Sequence, residues 1–497
     1  MVQSRTGKVG VLLIGQGLNA IINFIALPYL ARSLDYNDYG TYGQTILIVA
    51  IATAFFSIGL GSSINIYLSE KKFTPSTILR NSLRVALFLG VIATFLAFSS
   101  APVIAKLFEN QKVIPFIRIY AFSIVFQLAS GLFNGLLVYY DKIKESVVIH
   151  IIGNLIRVAL FVVVIQYFKS LTLLFYSAIF VSMFMCFGLY FFLPVNVKKN
   201  GKLNPSLVKG LLKIGIPIGV TGLIIFLLGL SDSVMINIML TTKEFAIYKN
   251  GAFILPVIGT IFGSIAAILL PSLSQLYVKK DFTEIVRLKK KAITLTMLLV
   301  YPIMIFAIIF HQDLVILAFS KKYAASGLVF MVFNVILITR INNYFDVFVL
   351  VKNTSFILWV SLSTFLFNLI LNFFLIKQFG IVGAALSTVI SGILMSCILL
   401  VKGMRLLKSS FSQVYDLKKA AHILIVSAIA GLAIFYVHTL IGTEVSLIAA
   451  FVIFATVVYV YILRFNLTDK ETVKEILNQT KLSNTKLGAL ITKIQKP

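Results

Sequence analysis

Charge is the first thing this sequence is short of. Only 12% of its 497 residues are Asp, Glu, Lys or Arg, and 17 acids stand against 44 bases. Cysteine is almost missing. Cys186 and Cys397 lie in separate apolar segments, so a disulfide framework is excluded and both read as buried apolar filler. The histidines, His150, His311, His422 and His438, are scattered, with neither an HExxH nor a Cys/His spacing that could close a metal shell; the expected metal complement is none. No GxxxxGK[ST] loop is present to cradle nucleotide phosphates, which removes ATP hydrolysis by that route.

Apolar side chain fills the space these absences leave. The chain is 59% hydrophobic, with 43 Phe, and its mean hydropathy is +0.99. A soluble fold has too little interior for so much apolar surface, whereas a bilayer offers an apolar solvent. The expected fold class is therefore an all-α polytopic membrane protein. Fourteen apolar runs of roughly helix-spanning length can be marked. They cover 9–31, 43–68, 84–105, 116–140, 146–168, 171–194, 211–240, 250–277, 292–310, 325–351, 356–376, 381–401, 420–440 and 444–463. Helices are preferred to barrel strands because the runs are continuously apolar rather than alternating. The first run is too long for a cleaved signal and reads as a retained anchor.

An even number of spans puts both termini on one side. Sorting Lys and Arg by loop then gives 32 on the terminal side, against 10 on the other. The positive-inside rule makes the terminal side cytoplasmic. The net charge of +27 thus reads as topology and attraction to anionic lipid rather than as a nucleic-acid surface. No nucleic-acid partner is expected.

The chain also repeats itself. SLDYNDYGTYGQ is echoed by MLTTKEFAIYKN, so Asp38-Tyr39-Gly40-Thr41-Tyr42 aligns with Glu244-Phe245-Ala246-Ile247-Tyr248. In each half the turn joins two apolar segments, and a basic pair follows, Lys71-Lys72 and Lys279-Lys280. Later, 167–182 aligns with 378–392. The expected organisation is an N-terminal six-helix bundle over 1–208, a C-terminal one over 209–410, and two further helices with a basic cytoplasmic tail over 411–497. Six is even, so the bundles should be related by a pseudo-two-fold along the membrane normal. The turn reads as an external connection in which Asp38 and Glu244 cap the helices that follow.

With ALPYLARSLDYNDYGTYG, its echo around LKIGIPIGVTGLIIFLLGLSDSVMINIML, and FGIVGAALSTVIS on the page, the chain resembles the multidrug/oligosaccharidyl-lipid/polysaccharide exporter superfamily. Within it, the likeness is to the Wzx-type polysaccharide flippases of bacterial inner membranes, over most of 1–410. What the resemblance implies is a pair of six-helix bundles that open alternately to each side and move a lipid-linked oligosaccharide outward, as in O-antigen or capsule synthesis. Membrane lipids, a polysaccharide polymerase and other assembly proteins are the partners it implies.

Charges inside apolar runs point to the working parts, because they are costly there and normally face a wet cavity, a bundle interior or a partner. Arg157 lies near the middle of its run, with Asn154 and His150 at helical spacing before it. Arg340 lies in ITRINNYFDVF with Asn343 on its face and Asp346 almost two turns on. Arg157, Arg340, Asn154 and Asn343 are the candidate substrate-binding residues, since guanidinium pairs with phosphate in a planar fork. Asp232 and Asp346 are the ion-coupling candidates. Asp232 resembles the acidic position in the first helix of the family's second unit. The competing structural reading is a pair of ion bridges, Arg157 with Asp232 or Arg340 with Asp346. No cofactor is expected beyond coupling to H+ or Na+. An ion-coupled multidrug exporter of the same superfamily and a membrane polysaccharide polymerase remain alternatives. The first lacks an acidic residue deep in segments 1 to 6, and the second lacks a large external loop for catalytic residues. The tail from Thr468, with Glu471 at capping-box spacing, is expected to form a surface helix at the headgroups.

Overall fold

The computed structural model describes residues 5–199, 201–441, 444–465 and 467. The expected tail helix lies outside them. All the regular structure of the described residues is helical, and it falls into two compact units. One comprises Met1–Asn250 with Leu358–Ser391, the other Gly251–Ile357 with Gly392–Pro497. This division by contact cuts across the sequence division at 208 and 410.

The first unit opens with α1 (Arg5–Ser33), α2 (Tyr36–Ser57), α3 (Leu60–Glu70) and α4 (Pro75–Leu107). It continues through α5 (Val113–Tyr120), α6 (Ser123–Tyr139), α7 (Ile143–Val163), α8 (Leu171–Phe191) and the short α9 (Val195–Lys198). Then come α10 (Pro205–Leu228), α11 (Ser231–Met239) and α12 (Thr242–Gly251). Helix starts follow the sequence closely. Thr74 and Asn204 accept from backbone amides inside α4 and α10, each ahead of a proline at the first helical position, where its missing N–H costs nothing.

One face of α4 is a seam of small residues: Ala86, Gly90, Ala93, Ala97, Ala101 and Ala105 are buried in turn. Lipid tails are as apolar as leucine, so helices in a bilayer associate by close packing, and small side chains allow it. α6 fills this seam, with Val125 against Gly90. The outward face carries Phe88, Val91 and Phe95, all exposed.

A different close approach sets the break between α2 and α3. Ile58 and Gly59 are both left-handed, with φ of 34° and 62°. A Cβ on Gly59 would lie 2.4 Å from the Gly215 carbonyl oxygen, and one on Gly219 would lie 2.5 Å from the Ile58 carbonyl carbon. Backbone meets backbone here, so glycine is required on both sides.

The second unit holds α13 (Pro256–Val278), α14 (Phe282–Ile309), α15 (His311–Phe319), α16 (Ser326–Asn334) and α17 (Phe345–Leu350). α18 (Thr354–Leu406) follows, contributing its ends to this unit and its middle to the first, then the short α19 (Phe411–Val414), α20 (Leu417–Ile441) and α21 (Glu444–Arg464). Its core is a run of rings, Phe306 stacked on Phe310 at 4.3 Å between centroids, with Phe451 and Phe454 packed on Phe306.

Among the described residues, 11 helical stretches are long and apolar enough to cross a membrane, so this is a multi-pass membrane protein. Three local features separate that number from the fourteen apolar runs. α18 carries two of the runs, continuing through a backbone bend at Gly380. The run over 325–351 is broken, leaving only the shorter Ser326–Ile338 stretch. The first run lies on α1, which is helical but not among the eleven.

Candidate functional site

Both copies of the repeated turn lie in the first unit and touch. Asp35 rather than Asp38 caps α2, accepting from the Asp38 amide at 2.7 Å; Asp38 instead faces Lys112 at 3.7 Å. Glu244 caps as expected, its Oε2 accepting from the Thr241 amide and hydroxyl while the Thr241 hydroxyl accepts from the Glu244 amide. Gly40 lies on Thr242, where a Cβ would come within 2.6 Å of the backbone oxygen. Around this crossing runs a buried polar layer. The Tyr39 hydroxyl donates to Asn250 Oδ1 at 2.6 Å and Gln44 Nε2 to Asn237 Oδ1 at 2.7 Å. Asn110 Nδ2 reaches both Gln44 Oε1 and Thr41 Oγ1. Lys249, half-buried on α12, sets its ammonium 5.4 Å from the Tyr39 ring centre and 5.3 Å from that of Tyr42. Burial there pulls its pKa down to about 8.

A second buried cluster surrounds Asp232. Its Oδ2 accepts from the hydroxyls of Tyr248 and Thr388, the latter at 3.2 Å, and its Oδ1 from the Ser233 amide at 2.6 Å. Alongside, Asn368 takes a bond from Ser231 and from Asn372, and Ser387 donates to Asn372 at 2.6 Å. All the side chains in contact with this carboxyl are neutral, so it forms no ion pair among the described residues. The carboxyl is thus a buried acid held by two hydroxyl donors and one backbone N–H.

Arg157 does not reach Asp232. It is half-buried on α7, its Nε is enclosed without a hydrogen-bond partner, and the hydroxyls of Tyr42 and Tyr120 lie within its electrostatic reach. Asn154 is buried and spent on packing, donating to Asn19 Oδ1 on α1 at 3.0 Å. It is therefore a strut between α7 and α1 rather than a group facing open space. Asn368, which the alignment of 167–182 with 378–392 sets opposite Arg157, belongs to the Asp232 cluster.

In the second unit the expected span over 325–351 is interrupted. α16 gives way to a tight 3₁₀ turn, Val335–Ile338, then to an unwound stretch before α17. Arg340 stands on that stretch, exposed, with no side-chain hydrogen bond or ion pair among the described residues. Asn343 is exposed too, its Oδ1 accepting from the Phe345 amide at 3.3 Å. Asp346 is not the partner of Arg340. Lys289 on α14 holds it, Nζ lying 2.8 and 2.9 Å from the two carboxylate oxygens, with the two residues 3% and 2% exposed. Neither ion bridge of the competing structural reading forms, and the charge of Asp346 is already met by Lys289. Cys397, expected as buried filler, is exposed; Cys186 is buried. No cluster of three or more His, Cys, Asp or Glu that could hold a metal occurs among the described residues.

Sequence reading missed Lys289 because it stands in Lys289-Lys290-Lys291, which looks like a solvated basic loop. The signal was helical phase: Ile285, Lys289, Ile293 and Thr296 share the buried face of α14. Lys249 was missed in the same way, at a predicted loop edge.

A family model described as polysaccharide biosynthesis protein matches residues 29–328. The chain belongs to this family. It is 22% identical over 389 residues to the capsular polysaccharide biosynthesis protein CapF of Staphylococcus aureus, covering 75% of this chain and 93% of that one. Among solved structures it is similar to the lipid II flippase MurJ in an inward closed conformation. The TM-score is 0.73 at 15% identity, over 92% of this chain and 98% of that one. It is also similar to an inward-facing multidrug resistance MATE family transporter of the MOP superfamily, with a TM-score of 0.63 at 16% identity, over 79% and 95% of the two chains. The chain therefore has the MOP exporter fold that the MurJ flippase and the MATE transporter share.

Proposed function

We propose that the protein flips a polyprenyl-diphosphate-linked oligosaccharide from the cytoplasmic to the outer leaflet of a bacterial inner membrane, by alternating access, for polysaccharide assembly. Both termini are cytoplasmic in this reading. The observation that carries it is Arg157, a half-buried guanidinium with no acidic partner among the described residues and with an enclosed, unused Nε donor. An unpaired charge at that depth calls for an anion or water beside it, and a diphosphate supplies the oxygens its planar fork fits. Arg340, exposed and unpaired among the described residues on broken backbone, supports the same reading, because irregular backbone at membrane depth is tolerated where it lines a water-filled cavity. Asp232 is the coupling residue for a proton or sodium ion. Outward movement of an anionic head gains about 2.3 kcal/mol per charge per 100 mV of inside-negative potential, so cation antiport adds to the drive and cation symport opposes it.

The test is surface polysaccharide in a strain that depends on this protein. Arg157→Ala and Arg340→Ala should each lower it while the protein persists in the membrane, and lysine at either position should restore it only in part. Undiminished polysaccharide in both alanine variants would sink the proposal. The Asp232 cluster also suits an ion-coupled drug exporter, and gradient-dependent efflux of a cationic dye, unaffected by the arginine changes, would favour that reading.

A further inference from the structure

The break over 339–344 leaves carbonyl groups without their helical donors, and each exposed group of this kind is expensive within a membrane. Three side chains take them up. The Tyr301 hydroxyl donates to the Ile338 carbonyl at 3.0 Å, the Tyr344 hydroxyl to Thr339 at 2.7 Å, and Lys289 Nζ to Asn343 at 3.3 Å. Of the three, Lys289 alone also fixes an ion, binding both oxygens of Asp346 at the start of α17, whose Oδ1 accepts from the Val347 amide as well. A fully buried ion pair is a poor source of stability compared with apolar side chains of the same volume. Its arrangement nevertheless has a local effect. Asp346, at the start of α17, lies six residues after Arg340 with only the unwound stretch between them, and it is the carboxylate nearest to the arginine in sequence. Lys289 engages both of its oxygens.

We propose that Lys289 is a positioning residue: by saturating Asp346 and bracing the Asn343 carbonyl, it denies Arg340 an internal partner and keeps its guanidinium turned to the open side of the broken helix. The inference rests on the reading of Arg340 as a cargo contact only for its biological purpose. Without Lys289, Arg340 folds back onto Asp346 and the break presents no free cation.

The experiment measures modification of Arg340 by phenylglyoxal in membranes, quantified at that residue by peptide mass spectrometry, with the exposed Arg405 as internal standard. Lys289→Met and Lys289→Gln should reduce labelling of Arg340 about tenfold, toward that of a buried, ion-paired arginine. Adding Asp346→Asn to either should restore it, because the trap is then gone. Labelling unchanged in a membrane-resident Lys289→Met or Lys289→Gln protein overturns the inference. So does loss of both single variants from the membrane with recovery in the double, which would describe a purely structural pair. Surface polysaccharide is scored in parallel. Labelling that falls while export holds leaves the positioning role standing and removes Arg340 from the proposed cargo site.

Discussion

Tyr39 donates its hydroxyl to Asn250 Oδ1 at 2.6 Å, joining the first copy of the repeated turn to the end of the helix that carries the second. Both residues are fully buried, and Asn250 Nδ2 has no partner, so this one bond is the whole satisfaction of the amide. Tyr39→Phe should therefore cost about 1 to 3 kcal/mol, the penalty of a buried polar group left unmade. Adding Asn250→Leu should recover most of it. Thermal unfolding of the purified protein in detergent reads both effects, and equal loss in the single and double variants would remove the bond from the account.

Gly40 and Ala246 occupy equivalent places in the repeat but not equivalent surroundings. Gly40→Ala drives a methyl group into the Thr242 backbone and should lower stability by about 1 to 3 kcal/mol, the usual range for overpacking. Ala246→Gly should cost less, roughly the 1 kcal/mol of a helical glycine plus the small buried methyl. Comparing the melting temperatures of the two variants checks the order.

Asp232→Asn keeps the shape of the cluster and removes its ionisable group. Transport in energised vesicles should lose its dependence on the proton or sodium gradient while the protein still accumulates. A variant that follows the gradient as the parent does would leave Asp232 as packing.

Lys249 gives a pH signature. Its pKa is lowered by burial from 10.5 to about 8, so between these values the unfolded chain binds more protons than the folded one. Stability should then rise with pH across that window, and the gain should be complete above it. Lys249→Met should flatten the rise, as seen by thermal unfolding on either side of the window. A persistent slope in the variant would assign it to another group.

Reporter fusions after Lys202, Arg287 and Lys408 should be cytoplasmic, and fusions near Lys112, Lys243 and Lys321 external. An external reporter at Arg287 would break the two-repeat topology, since the positive-inside reading leans heavily on that loop.

Hydropathy made the membrane class legible because burial in lipid needs only apolar length; the turn repeat is a likeness of sequence, and contact groups both of its copies in the first unit. The interruption at 335–344 was hidden for a physical reason. Between Leu328 and Phe379 there is no glycine or proline to mark it, and the apolar character runs on through it. The clue is the density of polar side chains in Thr339-Arg340-Ile341-Asn342-Asn343-Tyr344, a pattern that equally fits the polar face of a continuous helix. Partners were harder still. A carboxylate pairs with the nearest cation in space, so Asp346 met Lys289 from another helix rather than Arg340 from its own segment, and Asp35 took the cap assigned to Asp38.

The crossing of Ile58 and Gly59 with Gly215 and Gly219 has a mechanical meaning. Most helix contacts interlock like gear teeth, and sliding them requires side chains to lift out of their notches and change rotamer. Here two bare main chains rest on each other. At such a bearing there are no teeth to disengage, so displacement of the α2–α3 break along α10 would require no rotamer change from Gly59, Gly215 or Gly219.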